Sequence, residues 1–125
     1  MGWMDWLGLG GGGSSGGGAV GPAEAKSLLD GGAVLVDVRG HGEWQAGHVR
    51  GARHVPLHEL AARIDRLPRD RPLVVACRSG SRSAHAVRIL GGAGLQARNL
   101  RGGLAAWSRA GLPLEGPAGR AGRVV

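Results

Sequence analysis

The sequence predicts an α/β fold with three layers, in which helices cover both faces of a central, mainly parallel sheet. Short apolar runs of strand length alternate with segments of helical periodicity, and Gly or Pro bounds most of the helical segments. The length of 125 residues suits one domain with a single hydrophobic core. In such a sheet, ligands bind at the carboxyl ends of the strands, so we expect the functional site there.

Each element has its own sequence signals. Pro22 opens the first helix and Gly31-Gly32 ends it, Pro68 ends the second, and Trp107 anchors the last. Glycines also bound a turn or short helix over 40–48. The predicted helices are 22–30, 57–67, 83–90 and 104–110, and the predicted strands are 33–38, 73–76 and 95–100, with a short strand before Pro56.

The ordered domain is expected to span residues 20–115. Residues 1–19 carry a Gly/Ser-rich tract typical of a flexible tail, and they lack the charged start and the continuous apolar stretch of a signal peptide. Trp3 and Trp6 within them fit either a disordered tail or a short anchor for a membrane or a partner. Residues 116–125, rich in Gly and Arg, are expected to form a second tail.

Composition narrows the classes of function. The net charge is +7, and Lys26 is the sole lysine among the sixteen basic residues. The arginines are spread along the chain without an aromatic stacking platform, so we expect no nucleic-acid partner. No run approaches the ~18 apolar residues of a transmembrane helix, and we expect a cytoplasmic protein. The positive charge favours small anionic substrates.

The single cysteine, Cys77, directly follows the apolar strand at 73–76 and precedes a small polar loop and a helix start. Loop and helix N–H groups at such a junction point inward, together with the positive end of the helix dipole. Arg78 and Arg82 add two cations. These effects favour the thiolate, so Cys77 is predicted to be a nucleophile. The alternative is a buried cysteine that acts as a small hydrophobe.

Other polar residues are assigned supporting roles or none. Asp37 lies near the end of a strand and is predicted to accept loop hydrogen bonds, while Arg39 and Glu43 are spaced to pair. His54 and His58 have the i, i+4 spacing of zinc ligands, but Pro56 between them argues against a continuous helix. We expect no metal and no cofactor.

Five motifs in order resemble the single-domain rhodaneses, a sulfurtransferase family. They are Val36-Asp37-Val38-Arg39, Glu43-Trp44, Gly47-His48-Val49-Arg50-Gly51-Ala52 with His54-Val55-Pro56, Cys77-Arg78-Ser79-Gly80-Ser81-Arg82-Ser83, and Arg101-Gly102-Gly103-Leu104-Ala105-Ala106-Trp107. The resemblance implies a five-stranded parallel sheet and an active-site loop from Cys77 to Arg82. It also implies the reaction, in which Cys77 takes sulfur from a donor, becomes a persulfide and passes the sulfur on.

The implied donor is a small anion such as thiosulfate or a polysulfide, and the acceptor is cyanide or a thiol, including a thioredoxin-like protein. The residues expected to bind substrate or persulfide are Arg78, Ser79, Gly80, Ser81, Arg82 and Ser83, with Asp37 and Arg39 in support. Since one cysteine cannot resolve a persulfide within the chain, an external acceptor is required.

Two other functions compete with turnover on small donors. A persulfide carrier or docking module receives sulfur from a partner and turns over slowly. Related phosphatases and arsenate reductases use a Cys-x5-Arg loop sized for a tetrahedral anion. Here Ser83 occupies the arginine position of that longer loop, and Arg82 completes Cys-x4-Arg, so the shorter loop favours sulfur.

Overall fold

The computed structural model describes residues 18–125. The tail predicted over residues 1–19 lies almost wholly outside this range. The helices are α1 (Pro22–Asp30), α2 (His41–Ala46), α3 (Leu60–Arg63), α4 (Ser81–Gly92) and α5 (Gly103–Arg109). The strands are β1 (Val34–Asp37), β2 (Arg53–His54), β3 (Leu73–Ala76) and β4 (Ala97–Asn99). Single 3₁₀ turns occupy Leu57–Glu59, Ile64–Arg66 and Pro117–Gly119.

The four strands form one parallel sheet in the order β2-β1-β3-β4. The expected five-stranded sheet is therefore corrected to four strands. At the fifth position, Val20 makes a single parallel bridge to Leu100, with its N–H donating to the Asn99 carbonyl at 2.8 Å. Gly21 and Pro22 follow at once, and Pro22 opens α1, so the extended segment ends before it can form a strand.

The sheet has a hydrophobic cluster on each face, because alternate residues of a strand point to opposite sides. In β3, Leu73 and Val75 face one cluster with Leu60 and Leu90, whereas Val74 faces the other with Trp107. Helices α3 and α4 thus cover one face, and α1 and α5 cover the other. The predicted three-layer α/β fold is confirmed.

The segment predicted as one helix over 57–67 is divided into a 3₁₀ turn, the short α3 and a second 3₁₀ turn. No side chain caps any of the three pieces. Short uncapped segments gain little from helical cooperativity, so packing of the apolar side chains decides the local backbone. Leu60 and Leu67 are still buried, as the apolar spacing predicted.

Within the tail predicted over 116–125, residues 116–123 fold back onto the turn after α2. The Gly122 N–H donates to the Leu114 carbonyl at 2.8 Å, and the Arg123 N–H donates to the Ala46 carbonyl at 3.0 Å. A side chain at Gly47 would collide with the backbone of Arg123. This close approach explains why glycine suits position 47 in the turn after α2. Among residues 18–125, no helix is both long and apolar enough to cross a membrane.

Candidate active site

The site lies where the sheet order changes direction. From β1 the chain goes to β2 on one side, and β3 then pairs with β1 on the other side. Asp37 at the end of β1 pairs in register with Ala76 at the end of β3, so Cys77 comes directly after this point. Crevices outside the carboxyl ends of parallel strands open at such a position. The helix α4 begins four residues after Cys77.

Cys77 is more deeply placed than its position after the strand suggests, with 1% of the residue exposed. Burial alone would fit a small hydrophobic residue. The hydrogen bonds show a different environment: the Cys77 Sγ accepts from the Gly80 N–H at 3.1 Å, from the Ser83 N–H at 3.4 Å and from the Ser83 hydroxyl at 3.3 Å. The amides of the loop turn toward the sulfur, as the sequence predicted.

Gly80 makes this loop conformation possible. It precedes the first residue of α4 with φ of 111°, in the left-handed region that a side chain disfavours. This turn aims its own N–H at the sulfur and starts the helix, whose third residue is Ser83. The first N–H groups of a helix have no carbonyl within the helix, so the Ser83 amide is available to the sulfur.

The balance of these interactions lowers the pKa of Cys77. Burial raises the pKa of the thiol, because it penalises the charged form. The Ser83 hydroxyl and the amides of Ser83, Gly80 and Ser79 stabilise the thiolate, and together they outweigh burial. The site therefore favours the thiolate form of Cys77.

The carbonyls of the same loop are held from the opposite side by the start of α5. The Leu104 N–H donates to the Cys77 carbonyl at 2.8 Å, and the Ala105 N–H donates to the Arg78 carbonyl at 3.0 Å. Gly103 has φ of 66°, and a side chain there would collide with the Arg78 carbonyl. Gly103 thus lets α5 approach the loop closely, and this contact fixes the peptide orientation around Cys77.

Arg82 has a partner that the sequence did not indicate. Its guanidinium donates to the two carboxylate oxygens of Glu43 at 2.8 and 2.9 Å. The expected Arg39–Glu43 pair is therefore wrong, because Glu43 on α2 faces α4. The Arg82 hydrogen bonds hold the pKa of Glu43 at about 2, against partial burial, and Glu43 raises the pKa of Arg82.

Arg39 instead pairs with Asp37, and both side chains are fully buried. Arg39 donates to Asp37 at 2.7 and 2.9 Å and to the Gly47 carbonyl at 2.6 Å. One guanidinium nitrogen, Nη1, has no hydrogen-bond partner among residues 18–125. The pair ties the end of β1 to the turn after α2, which is a structural link beside the cysteine loop.

The remaining loop residues lie at the rim. Arg78, Ser79 and Ser81 are exposed, while Ser83 is fully buried under the sulfur. Asn99, which the sequence did not single out, donates to the Gly80 carbonyl at 3.0 Å and accepts from the Ser83 hydroxyl at 2.5 Å. Its position at the end of a predicted strand was the available signal. Residues 18–125 contain no group of His, Cys, Asp and Glu side chains arranged to hold a metal ion.

Comparison with known proteins is consistent with this geometry. A family model described as "Rhodanese-like domain" matches residues 21–110. A sulfurtransferase from Allochromatium vinosum is 41% identical over 87 residues, which cover 69% of this chain and 81% of that protein. Thiosulfate sulfurtransferase GlpE from Ectopseudomonas mendocina is 37% identical over 97 residues, covering 77% of this chain and 88% of that protein.

The fold has similar solved structures. A rhodanese-related protein from Thermoplasma volcanium superposes with a TM-score of 0.73 at 29% identity. The match covers 77% of this chain and 95% of that chain.

Proposed function

Since this chain belongs to the rhodanese-like family, whose members include sulfurtransferases, we propose that it transfers sulfane sulfur through a persulfide on Cys77. The observation that carries the proposal is the set of three donors on one sulfur: the amides of Gly80 and Ser83 and the Ser83 hydroxyl. An inert core cysteine has no need of them. A sulfur that must ionise and later leave as a thiolate does.

The proposed first step uses thiosulfate or a polysulfide. The Cys77 thiolate attacks the outer sulfur of thiosulfate, a new S–S bond forms, and the old S–S bond breaks with its electron pair going to sulfite. The product is a Cys77 persulfide whose outer sulfur carries the negative charge. The similarity to GlpE supports thiosulfate as the donor.

The second step needs an external acceptor, because the chain has one cysteine. The acceptor, either cyanide or a thiolate, including that of a thioredoxin-like protein, attacks the outer sulfur. The S–S bond of the persulfide breaks, and Cys77 leaves as a thiolate. No electrons are gained or lost overall, so no redox cofactor takes part.

The rim residues are proposed to bind the donor and the outer sulfur. The N–H groups of Ser81 and Arg82 lie in the first turn of α4 and have no carbonyl partner within the helix. Arg78 is exposed and supplies a cation at the loop. The charge of Arg82 is shared with Glu43, so its main contribution is to fix the start of α4.

The burial of Cys77 favours a second candidate, a persulfide carrier that is loaded by a partner. Because 1% of the Cys77 residue is exposed, we expect the loop to move before a small donor reaches the sulfur. A carrier loads once and turns over slowly with thiosulfate and cyanide, whereas an enzyme turns over in the steady state. Thiocyanate formation under multiple-turnover conditions distinguishes them.

Mass spectrometry of the intact protein tests the proposed persulfide. Treatment of the reduced protein with thiosulfate should add one sulfur, ~32 Da, by covalent catalysis at the thiol. Cys77→Ser is the matched control and should gain nothing. A wild-type protein that remains unmodified with both thiosulfate and polysulfide would contradict the proposal.

A further inference from the structure

Asn99 connects the sheet to the start of α4 beside the cysteine loop. It is the last residue of β4, in register with Val75 of β3. Its side-chain amide reaches the carbonyl of Gly80 and the hydroxyl of Ser83, two residues whose N–H groups donate to the Cys77 sulfur. Asn99 makes no hydrogen bond to the sulfur, so any effect it has on Cys77 passes through these neighbours.

The Gly80 carbonyl fixes which way the Asn99 amide points. A carbonyl oxygen only accepts hydrogen bonds, so it must face the NH₂ group, here at 3.0 Å. The same carbonyl also accepts from the Ala84 N–H at 3.0 Å. The side-chain oxygen of Asn99 therefore faces Ser83 and offers it an acceptor.

Ser83 has one hydroxyl proton and two acceptors for it. The Asn99 oxygen lies 2.5 Å from the hydroxyl oxygen, and the Cys77 sulfur lies 3.3 Å from it. The shorter distance favours the arrangement in which the proton lies between the two oxygens. When the proton lies toward Asn99, the sulfur faces a lone pair of Ser83, which suits a neutral S–H donor. When it lies toward the sulfur, it stabilises the thiolate.

We propose that Asn99 is a positioning residue that competes with the Cys77 sulfur for the Ser83 hydroxyl proton. Asn99 thereby restrains the acidity of the thiol. If Cys77 carries the persulfide of the proposed function, its inner sulfur is uncharged and the proton lies toward Asn99. When the outer sulfur departs, the inner sulfur becomes an anion and the proton turns to it. The competition thus sets how readily Cys77 leaves.

The charged groups around the loop do not control the acidity of the Cys77 thiol in this way. Arg82 on α4 has an electrostatic interaction with Cys77, but it is paired with Glu43 of α2. At the end of β1, Asp37 and Arg39 pair with each other. Arg78 beside the cysteine is exposed, so water screens its charge. The Ser83 proton, by contrast, is buried and adjacent to the sulfur.

A double-mutant cycle on the thiol tests the inference. The pH dependence of iodoacetamide alkylation is measured on the reduced protein, without any sulfur donor. Asn99→Asp supplies a stronger acceptor and should move the alkylation midpoint to higher pH, slowing the reaction about tenfold below the midpoint. In a Ser83→Ala background, the added charge and the lost hydrogen bond to the Gly80 carbonyl remain, and the slowing should fall to about threefold.

Asn99→Leu should shift the alkylation midpoint of Cys77 in the opposite direction from Asn99→Asp. It removes the competing acceptor, so the wild-type Ser83 hydroxyl is left to the sulfur. We compare the midpoint shift caused by Asn99→Leu when position 83 is serine with the shift when it is alanine. The shift with serine should lie at lower pH than the shift with alanine. A merely structural role predicts the same shift with serine or alanine at position 83, and that result for either variant would overturn the inference.

These measurements separate the inference from the proposed function. Alkylation reports on the thiol alone, so the cycle gives its answer whether or not thiosulfate is a donor. Coupling between positions 99 and 83 without any sulfur loading would overturn the proposed function only. Loading with no coupling would overturn the inference only.

Discussion

Arg82 and Glu43 show how a single ion pair links α2 to the cysteine loop. Because the pKa of Glu43 is lowered from 4.5 to about 2, the pair stabilises the fold fully above pH 4.5. This stabilisation is lost as the pH falls from 4.5 toward 2, when the carboxylate is protonated. Glu43→Gln should lower the free energy of unfolding by about 1 kcal/mol at pH 7, a figure discounted for solvent screening of the partly exposed pair.

Urea unfolding from pH 7 to pH 3 measures this effect. The difference between wild type and Glu43→Gln should shrink as the pH falls. Glu59→Gln serves as the control, because Glu59 pairs with Arg63 on the surface at i, i+4 and should contribute only a few tenths of a kcal/mol. A Glu43→Gln effect that is constant across the pH range would contradict this account of the pair.

The start of α5 is the element that holds the loop carbonyls in place. Gly103→Ala places a methyl group against the Arg78 carbonyl at a φ of 66°. We expect a loss of about 2 kcal/mol in the free energy of unfolding, because both the steric contact and the backbone strain must be relieved. The loss should be accompanied by slower sulfur loading, since the peptides around Cys77 would shift.

Gly91→Ala is the matched control for this substitution. Gly91 lies in α4, and a side chain there would meet nothing within 4 Å. Alanine favours the helix, so the change should be neutral or stabilising by up to ~1 kcal/mol. Thermal unfolding with thiosulfate loading measures both variants. Equal stability of the two would show that the close approach of α5 does not matter.

At the scale of the whole molecule, the net charge of +7 should steer an anionic donor to the site. The second-order rate of Cys77 loading by thiosulfate should fall several-fold as ionic strength rises from about 20 to 500 mM, because salt screens exposed charges. Alkylation by uncharged iodoacetamide is the control and should change little. A salt dependence that is the same for both reagents would rule out steering.

Much of the fold could be predicted from local patterns. The apolar runs located β1 and β3, the glycine and proline positions located most helix ends, and the three layers followed from their alternation. The expected fifth strand does not form, because Val20 has room for only one bridge before α1 begins. The helix over 57–67 is broken because its apolar residues can be buried without a continuous helix.

The parts of the site formed by residues close together in the sequence could be predicted. Cys77, Gly80 and Ser83 lie in one short stretch, and the strand-to-helix junction fixes their relation. Asn99 was missed, and Glu43 was paired with the wrong arginine, because they come from β4 and α2 and their contacts depend on how those elements pack. No spacing in the sequence reports which charged residue faces Arg82, or which side chain completes the hydrogen bonds of Ser83.

Titration of the thiolate shows whether the loop donors lower the pKa of Cys77. Thiolate absorption in the ultraviolet, measured against pH for the reduced wild type and for Cys77→Ser, gives the midpoint of ionisation of the one cysteine. We expect a midpoint below the ~8.5 of a free cysteine, because the donors of Gly80 and Ser83 outweigh burial. A midpoint at or above that value would show an inert core thiol and would contradict the account.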